Sequence, residues 1–193
     1  MVPAVKASFA VGSEDTPSMP LTRNLFFALA PDPSLRGVLA AQAQRLHDAW
    51  GGRMTAPAKL HMTVLFLDAL PAPIETTLID AACAAGATIA QREFDLVVDR
   101  AGRFERRVGW LGCSQVPPAL KTLHESLVDA CFATGAPVRR ENHYTPHVTA
   151  LRDPTHPEPH AIDPLQWRVR HFELMASAEG AYEVLGTWPL QPA

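Results

Sequence analysis

The sequence has few cysteines, no long apolar run and no excess of positive charge. Only three cysteines occur in 193 residues, and none forms a Cys-x-x-Cys pair, so a disulfide framework is not expected. No apolar run is long enough to cross a bilayer, and no secretory signal is recognisable. A net charge of -3 argues against a broad basic surface for nucleic acid. We therefore expect a cytoplasmic protein without a membrane segment, with a nucleotide or an RNA end still possible as ligand.

Hydrophobic periodicity predicts an α+β fold. Helices are expected at 33–50, 73–90 and 117–134. Strands are expected at 21–30, 60–67, 94–99, 108–113, 146–151, 167–174 and 181–188, the last two as a hairpin over residues 179–180. Residues 100–107 are expected to connect an antiparallel pair, and residues 153–164, with four prolines, to form a loop. Residues 1–20 show no sustained period and predict a flexible extension before one domain over 21–193.

Two strands carry the same polar interruption. His61 and Thr63 lie two residues apart in an otherwise apolar strand, so their side chains share one face. His147 and Thr149 repeat this pattern. Polar side chains on the face of an apolar strand are costly unless something uses them. Because each strand follows a helix by a short link, we expect the two His-x-Thr strands to face one another.

Two imidazoles and two hydroxyls in one space suit displacement at phosphorus. Imidazole titrates near neutral pH, so one ring can remove a proton from water while the other protonates a leaving alkoxide. The threonine hydroxyls can donate hydrogen bonds to the phosphate oxygens. The pattern alone leaves a second interpretation open, in which the histidines are core residues bonded to backbone carbonyls. His143 and His147 have metal-ligand spacing on a helix, but Pro146 between them disfavours that geometry.

Four blocks of the chain resemble the 2H phosphoesterase superfamily, and in particular its RNA 2',3'-cyclic phosphodiesterase family, also called the 2'-5' RNA ligase family. They are residues 23–29 (RNLFFAL), 59–67 (KLHMTVLFL), 102–112 (GRF followed by GWLG) and 144–152 (YTPHVTALR), in the family's order. The resemblance implies a bilobal fold in which two antiparallel sheets form a central groove with helices outside. Asp68, Ala150 and Lys59 depart from the family's usual residues, which leaves substrate preference open.

The resemblance also implies roles for single residues. His61 and His147 would be the catalytic acid and base, in an order that the sequence leaves open, and Thr63 and Thr149 would bind phosphate. Arg152 could contact phosphate as well, while Tyr144 and Phe104 could flank the nucleotide by stacking. The implied activity is metal-independent hydrolysis of 2',3'-cyclic phosphate ends of RNA or nucleotides to 2'-phosphates, and the same site could run in reverse as a 2'-5' ligase. We also expect a monomer that needs no cofactor. The alternatives are another 2H phosphodiesterase activity, or a non-catalytic protein that binds RNA ends.

Overall fold

The computed structural model describes residues 21–105, 107–138, 144–178 and 180–192. The predicted α+β class is confirmed. In chain order the elements are β1 (Thr22–Leu29), α1 (Pro33–Trp50), β2 (Arg53–Met54), a short 3-10 helix (Pro57–Lys59), β3 (Met62–Pro71), α2 (Thr76–Ala87), β4 (Phe94–Phe104), β5 (Val108–Gly112), α3 (Pro118–Thr134), β6 (His147–Arg152), β7 (His160–Val169), β8 (His171–Ala178) and β9 (Ala181–Pro189). No described helix is both long and apolar enough to cross a membrane.

The strands form two antiparallel groups that meet at one residue pair. Their order is β7-β4-β5-β6-β3-β1-β8-β9, with β2 added beside β6. Strands β3 and β6 pair only at Met62 and Val148. One group therefore contains β3 with β1, β8 and β9, and the other contains β6 with β5, β4 and β7. Each group contributes one His-x-Thr strand to the junction.

The helices are delimited by local signals that the sequence contains. Helix α1 begins at Pro33, and the Asp32 carboxylate caps it by accepting a hydrogen bond from the Leu35 N–H at 2.8 Å. Gly51, at a φ of 66°, ends α1, and Gly135, at a φ of 76°, ends α3 in the left-handed conformation. The predicted ends of these two helices are confirmed. They could be predicted because a proline at the first turn and a glycine after the last turn act without tertiary contacts.

The alternation along β1 separates a core face from a groove face. Leu25, Phe27 and Leu29 belong to the main hydrophobic cluster, which also contains buried residues of all three helices. Phe26 and Ala28 point to the opposite face and pack with Met175 in a small second cluster. The helices thus cover one face of the strands. The other face is left for the groove.

The prediction of a loop over residues 153–164 and of one strand over 167–174 was wrong in part. Strand β7 begins at His160 and ends at Val169, and Arg170 separates it from β8. The two strands have different partners, since β7 pairs with β4 and β8 pairs with β1 and β9. Pro164 is accommodated because the β4–β7 register shifts at that point, and an irregular position tolerates a residue without an N–H.

Two smaller boundaries also differ from the prediction. Strand β4 continues to Phe104, which pairs with Val108 of β5, so residues 100–104 belong to a strand and not to the expected connection over 100–107. Helix α2 begins at Thr76 and ends at Ala87, inside the predicted range of 73–90. Glycine at 180 has a φ of 85° in the predicted turn between β8 and β9, and that pairing is confirmed. The predicted extension over residues 1–20 lies outside the described residues.

Candidate active site

The two His-x-Thr motifs converge because their central residues pair. Met62 and Val148 are Cα partners across the β3–β6 junction, and both are fully buried on the core face. Side chains alternate along a strand, so the histidine and threonine on either side of each central residue project to the groove face. His61, Thr63, His147 and Thr149 all line one cavity. The expected convergence of the two strands is thus present in the structure.

Both imidazoles are held by the same local hydrogen bond. His61 Nδ1 lies 2.8 Å from the Lys59 carbonyl, and His147 Nδ1 lies 2.9 Å from the Thr145 carbonyl. A carbonyl only accepts, so each Nδ1 carries the proton and donates it. In the neutral ring Nε2 is then unprotonated and available as a base. The alternative interpretation, in which the histidines are bonded to backbone carbonyls, therefore holds for Nδ1 of each ring. Both rings nevertheless border the cavity.

Aromatic side chains fix the two rings from the groove face. The Phe26 ring stacks on His61 at 5.1 Å between centroids, and Tyr182 contacts the same imidazole edge-on at 4.9 Å. Phe104 contacts His147 edge-on at 4.8 Å. These contacts restrict both rings to one orientation.

Burial lowers the pKa of both histidines below the ordinary imidazole value. The carbonyl hydrogen bonds to Lys59 and Thr145 act in the opposite direction but are outweighed. The Arg152 guanidinium lowers the pKa of both rings further, and His147 lowers that of His61. With the groove empty, both rings are therefore mainly neutral at pH 7. An anionic ligand would favour protonation of one of them.

The cavity around the two motifs has a volume of about 530 Å³, within the range of small-molecule sites. Among the described residues, three cationic side chains border it: Arg53, Lys59 and Arg152. Arg53 is paired with Asp153 at 2.7 Å on the exposed rim, and its strand lies opposite Arg152 in the β2–β6 pairing. Arg152, predicted as a phosphate contact, thus borders the cavity beside the second motif.

A second cavity of about 370 Å³ adjoins the first on the His147 side. Both cavities include Thr63, Phe66 and His147. Its remaining lining is mostly aromatic or apolar, and it contains no cationic side chain among the described residues: Val64, Phe104, Tyr144 and Thr145. Phe104 and Tyr144, the two predicted stacking residues, therefore border this second cavity.

Several groove residues were not singled out by the sequence patterns: Phe26, Arg53, Phe66 and Tyr182. Phe26 and Phe66 are Cα partners in β1 and β3 and share the groove face. For Phe26, the sequence signal is its place next to Phe27 in a strand. Side chains alternate along a strand, so one of two neighbours must face away from the core. Arg53 and Tyr182 reach the groove through pairings that are distant in sequence, and the chain contains no local signal for them.

The described residues include no group of three or more histidine, cysteine, aspartate or glutamate side chains placed to hold a metal ion. His143, considered above as a metal ligand with His147, lies outside the described residues. His124, which had no assigned role, is bonded through Nδ1 to the Val64 carbonyl at 2.8 Å.

Comparison with known proteins agrees with this geometry. A sequence model of the 2'-5' RNA ligase superfamily matches residues 31–181. The chain is 33% identical to the RNA 2',3'-cyclic phosphodiesterase of Escherichia coli (strain K12) in an alignment 182 positions long, which covers 87% of this chain and 97% of that protein. Two crystal structures of E. coli LigT superimpose on it. The apo form has a TM-score of 0.70 at 31% identity and covers 88% of this chain and 98% of its own. The complex with 3'-AMP has a TM-score of 0.71 at 29% identity, covering 88% and 99%.

Proposed function

Because the chain belongs to the 2'-5' RNA ligase superfamily, we propose that it hydrolyses 2',3'-cyclic phosphate ends of RNA to 2'-phosphates with two histidines as acid and base. The E. coli relative is an RNA 2',3'-cyclic phosphodiesterase. The observation that carries the proposal is the pairing of Met62 with Val148, since it turns both motifs toward one cavity.

The reaction needs one proton taken and one given. Water attacks phosphorus, and one neutral imidazole accepts the water proton at Nε2 as the P–O bond forms. The P–O3' bond breaks, and the other imidazole, protonated, gives its Nε2 proton to the departing O3'. The product is a 2'-phosphate monoester. The fixed Nδ1 hydrogen bonds to Lys59 and Thr145 keep both Nε2 atoms available for these transfers.

The threonines and Arg152 stabilise the charge on phosphate. The Thr63 and Thr149 hydroxyls donate to the non-bridging oxygens, whose negative charge changes as the pentacoordinate transition state forms. Arg152 adds a positive charge at the cavity edge. Its planar guanidinium suits a phosphate, with two oxygens contacted at once.

The cationic residues that line the cavity favour RNA over a mononucleotide. Arg53 and Lys59 lie on the cavity wall in addition to Arg152, and a single cyclic phosphate has too few charged oxygens for all three. We assign Arg53 and Lys59 to the phosphodiester preceding the cyclic end. A dinucleotide with a cyclic end should then have a higher kcat/KM than a cyclic mononucleotide, and Arg53→Gln should reduce the difference.

The second cavity supports reversal of the reaction as a second activity. A 2'-5' linkage has a nucleoside on each side of its phosphate, and two cavities adjoin at Thr63 and His147. Phe104 and Tyr144 would border the nucleoside on that side. Ligation should therefore require the same histidines as hydrolysis and should be the minor reaction in water.

The test is hydrolysis of a cyclic-ended RNA dinucleotide in EDTA by wild type, His61→Ala and His147→Ala. His156→Ala serves as the control, because His156 is exposed and outside the groove. We expect wild type and control to be active with EDTA present, and each groove variant to lose at least about 100-fold in kcat. Abolition by EDTA, or full activity of either groove variant, would contradict the two-histidine mechanism. A 2'-5' linked dinucleotide included as an alternative substrate distinguishes the other phosphodiesterase activity. Binding without turnover would identify a non-catalytic protein.

We also propose that the protein is a monomer of the cytoplasm. Cys83, Cys113 and Cys131 are all free, and burial raises the pKa of Cys113 and Cys131 to about 11, which keeps these thiols unreactive. Light scattering coupled to size exclusion should give the mass of one chain.

A further inference from the structure

One edge of β3 lacks strand pairing at Thr63, the proposed phosphate-binding residue of the first motif. Strand β3 pairs with β6 only at Met62, so no β6 residue pairs with Thr63 or Val64. On its other edge, the β1–β3 register shifts between Phe27 and Ala28, and Val64 has no Cα partner there. Such a bulge re-aims the neighbouring groups and leaves backbone atoms without ladder partners. Buried carbonyls of this kind need another donor.

Two side chains supply these donors. The Tyr144 hydroxyl donates to the Thr63 carbonyl at 3.3 Å, and His124 Nδ1 donates to the Val64 carbonyl at 2.8 Å. The two rings also stack on each other, with centroids 4.2 Å apart and planes within 5°. Tyr144 precedes β6 and His124 lies on α3. One stacked pair therefore holds two successive carbonyls of the strand that carries the first motif.

The same short segment holds the second motif. Thr145, next to Tyr144, provides the carbonyl that accepts the hydrogen bond from His147 Nδ1. The segment 144–146 thus contacts both His-x-Thr motifs, the first through the Tyr144 hydroxyl and the second through the Thr145 carbonyl. Gly112 lies close beside this segment, since an added Cβ there would stand 3.1 Å from the Pro146 carbonyl oxygen.

We propose that Tyr144, supported by His124, is a positioning residue that sets Thr63 relative to His147. This inference rests on the proposed function. One face of the Tyr144 ring is covered by His124, and its hydroxyl is engaged with the Thr63 backbone. The residue therefore acts on the reaction chiefly through Thr63. Loss of the hydroxyl should reduce stabilisation of the transition state, because a small displacement of a catalytic group is enough to slow turnover.

The test compares Tyr144→Phe, His124→Leu and His124→Asn on a cyclic-ended RNA dinucleotide. Tyr144→Phe keeps the ring and removes only the hydroxyl. We expect its kcat to fall roughly 3- to 10-fold, the effect of one hydrogen bond, with KM little changed. His124→Leu should lower kcat in the same way. His124→Asn keeps a short amide donor and should recover most of the loss.

Two controls distinguish positioning from a general structural effect. His160→Leu removes a similar imidazole–carbonyl hydrogen bond, to Glu158, outside the groove and should leave kcat unchanged. In a Thr63→Val background, which lacks the hydroxyl that Tyr144 is proposed to position, Tyr144→Phe should have little further effect on kcat. Non-additivity of this kind is the signature of residues that act through each other.

Several results would overturn the proposal. They are wild-type kcat in Tyr144→Phe, a rise in KM at constant kcat (which would make Tyr144 a nucleotide contact), and independent effects of Tyr144→Phe and Thr63→Val. Lack of turnover by the wild type would refute the proposed function instead. In that case, crystal structures test the positioning role of Tyr144. The distance between Thr63 and His147 should change in Tyr144→Phe, and an unchanged arrangement of the two motifs would contradict that role.

Discussion

Truncation of Met62 should affect both stability and catalysis, because this residue joins the two strand groups. Its side chain is fully buried in the main cluster, and its backbone forms the single β3–β6 pair with Val148. Met62→Ala removes the buried thioether chain and should lower the free energy of unfolding by about 2–5 kcal/mol. Urea denaturation followed by far-UV circular dichroism measures this loss.

The catalytic effect of Met62→Ala follows from its position between His61 and Thr63. Relaxation of the core into the void left by the shortened side chain would shift the two His-x-Thr motifs relative to one another. A misplacement on the order of 1 Å can lower the rate by about 100-fold. We expect kcat to fall by roughly 10- to 100-fold at a temperature where the variant is fully folded.

Leu39→Ala is the matched control for Met62→Ala. Leu39 is also fully buried in the main cluster, but it lies on α1 and faces away from the groove. The control should lose about 2–5 kcal/mol of stability and retain kcat. If Met62→Ala is destabilised like the control but turns over like the wild type, the β3–β6 junction does not set the geometry of the site.

Three further predictions concern pH and local structure. Burial and Arg152 lower the pKa of both histidines, so the bell-shaped kcat/KM profile should be displaced to the acid side of ordinary imidazole titration, and Arg152→Gln should move both limbs to higher pH; an unmoved profile contradicts the assignment. Gly86→Ala places a methyl group 2.8 Å from the Trp188 ring and should cost about 1–3 kcal/mol in urea unfolding despite the better helix propensity; a stabilised variant would contradict it. Asp32→Ala removes the α1 cap and should lower stability by about 0.5–2 kcal/mol without altering kcat.

The sequence predicts best the features that depend on neighbouring residues. Alternation places His61 and Thr63 on one face, and likewise His147 and Thr149. Proline and glycine mark the ends of α1 and α3. These predictions are correct because the tertiary contacts at these positions agree with the local preferences of the sequence.

Features that depend on distant pairings could not be predicted. Strand β7 begins at His160, inside the predicted loop, because β4 continues past Asp99 and pairs there with the start of β7. Tyr182 reaches His61 only because β9 follows β8, which lies beside β1. His124 has no periodic signal for a polar role, and its hydrogen bond exists only because a bulge in β3 leaves the Val64 carbonyl without a partner.

A crystal structure with adenosine 2'-phosphate, the product of the proposed reaction, would test the convergence of the two motifs most directly. We expect one phosphate in the larger cavity, with Nε2 of His61 and of His147 and the hydroxyls of Thr63 and Thr149 each within about 3.2 Å of a phosphate oxygen. A phosphate bound by only one motif, or bound outside this cavity, would contradict it.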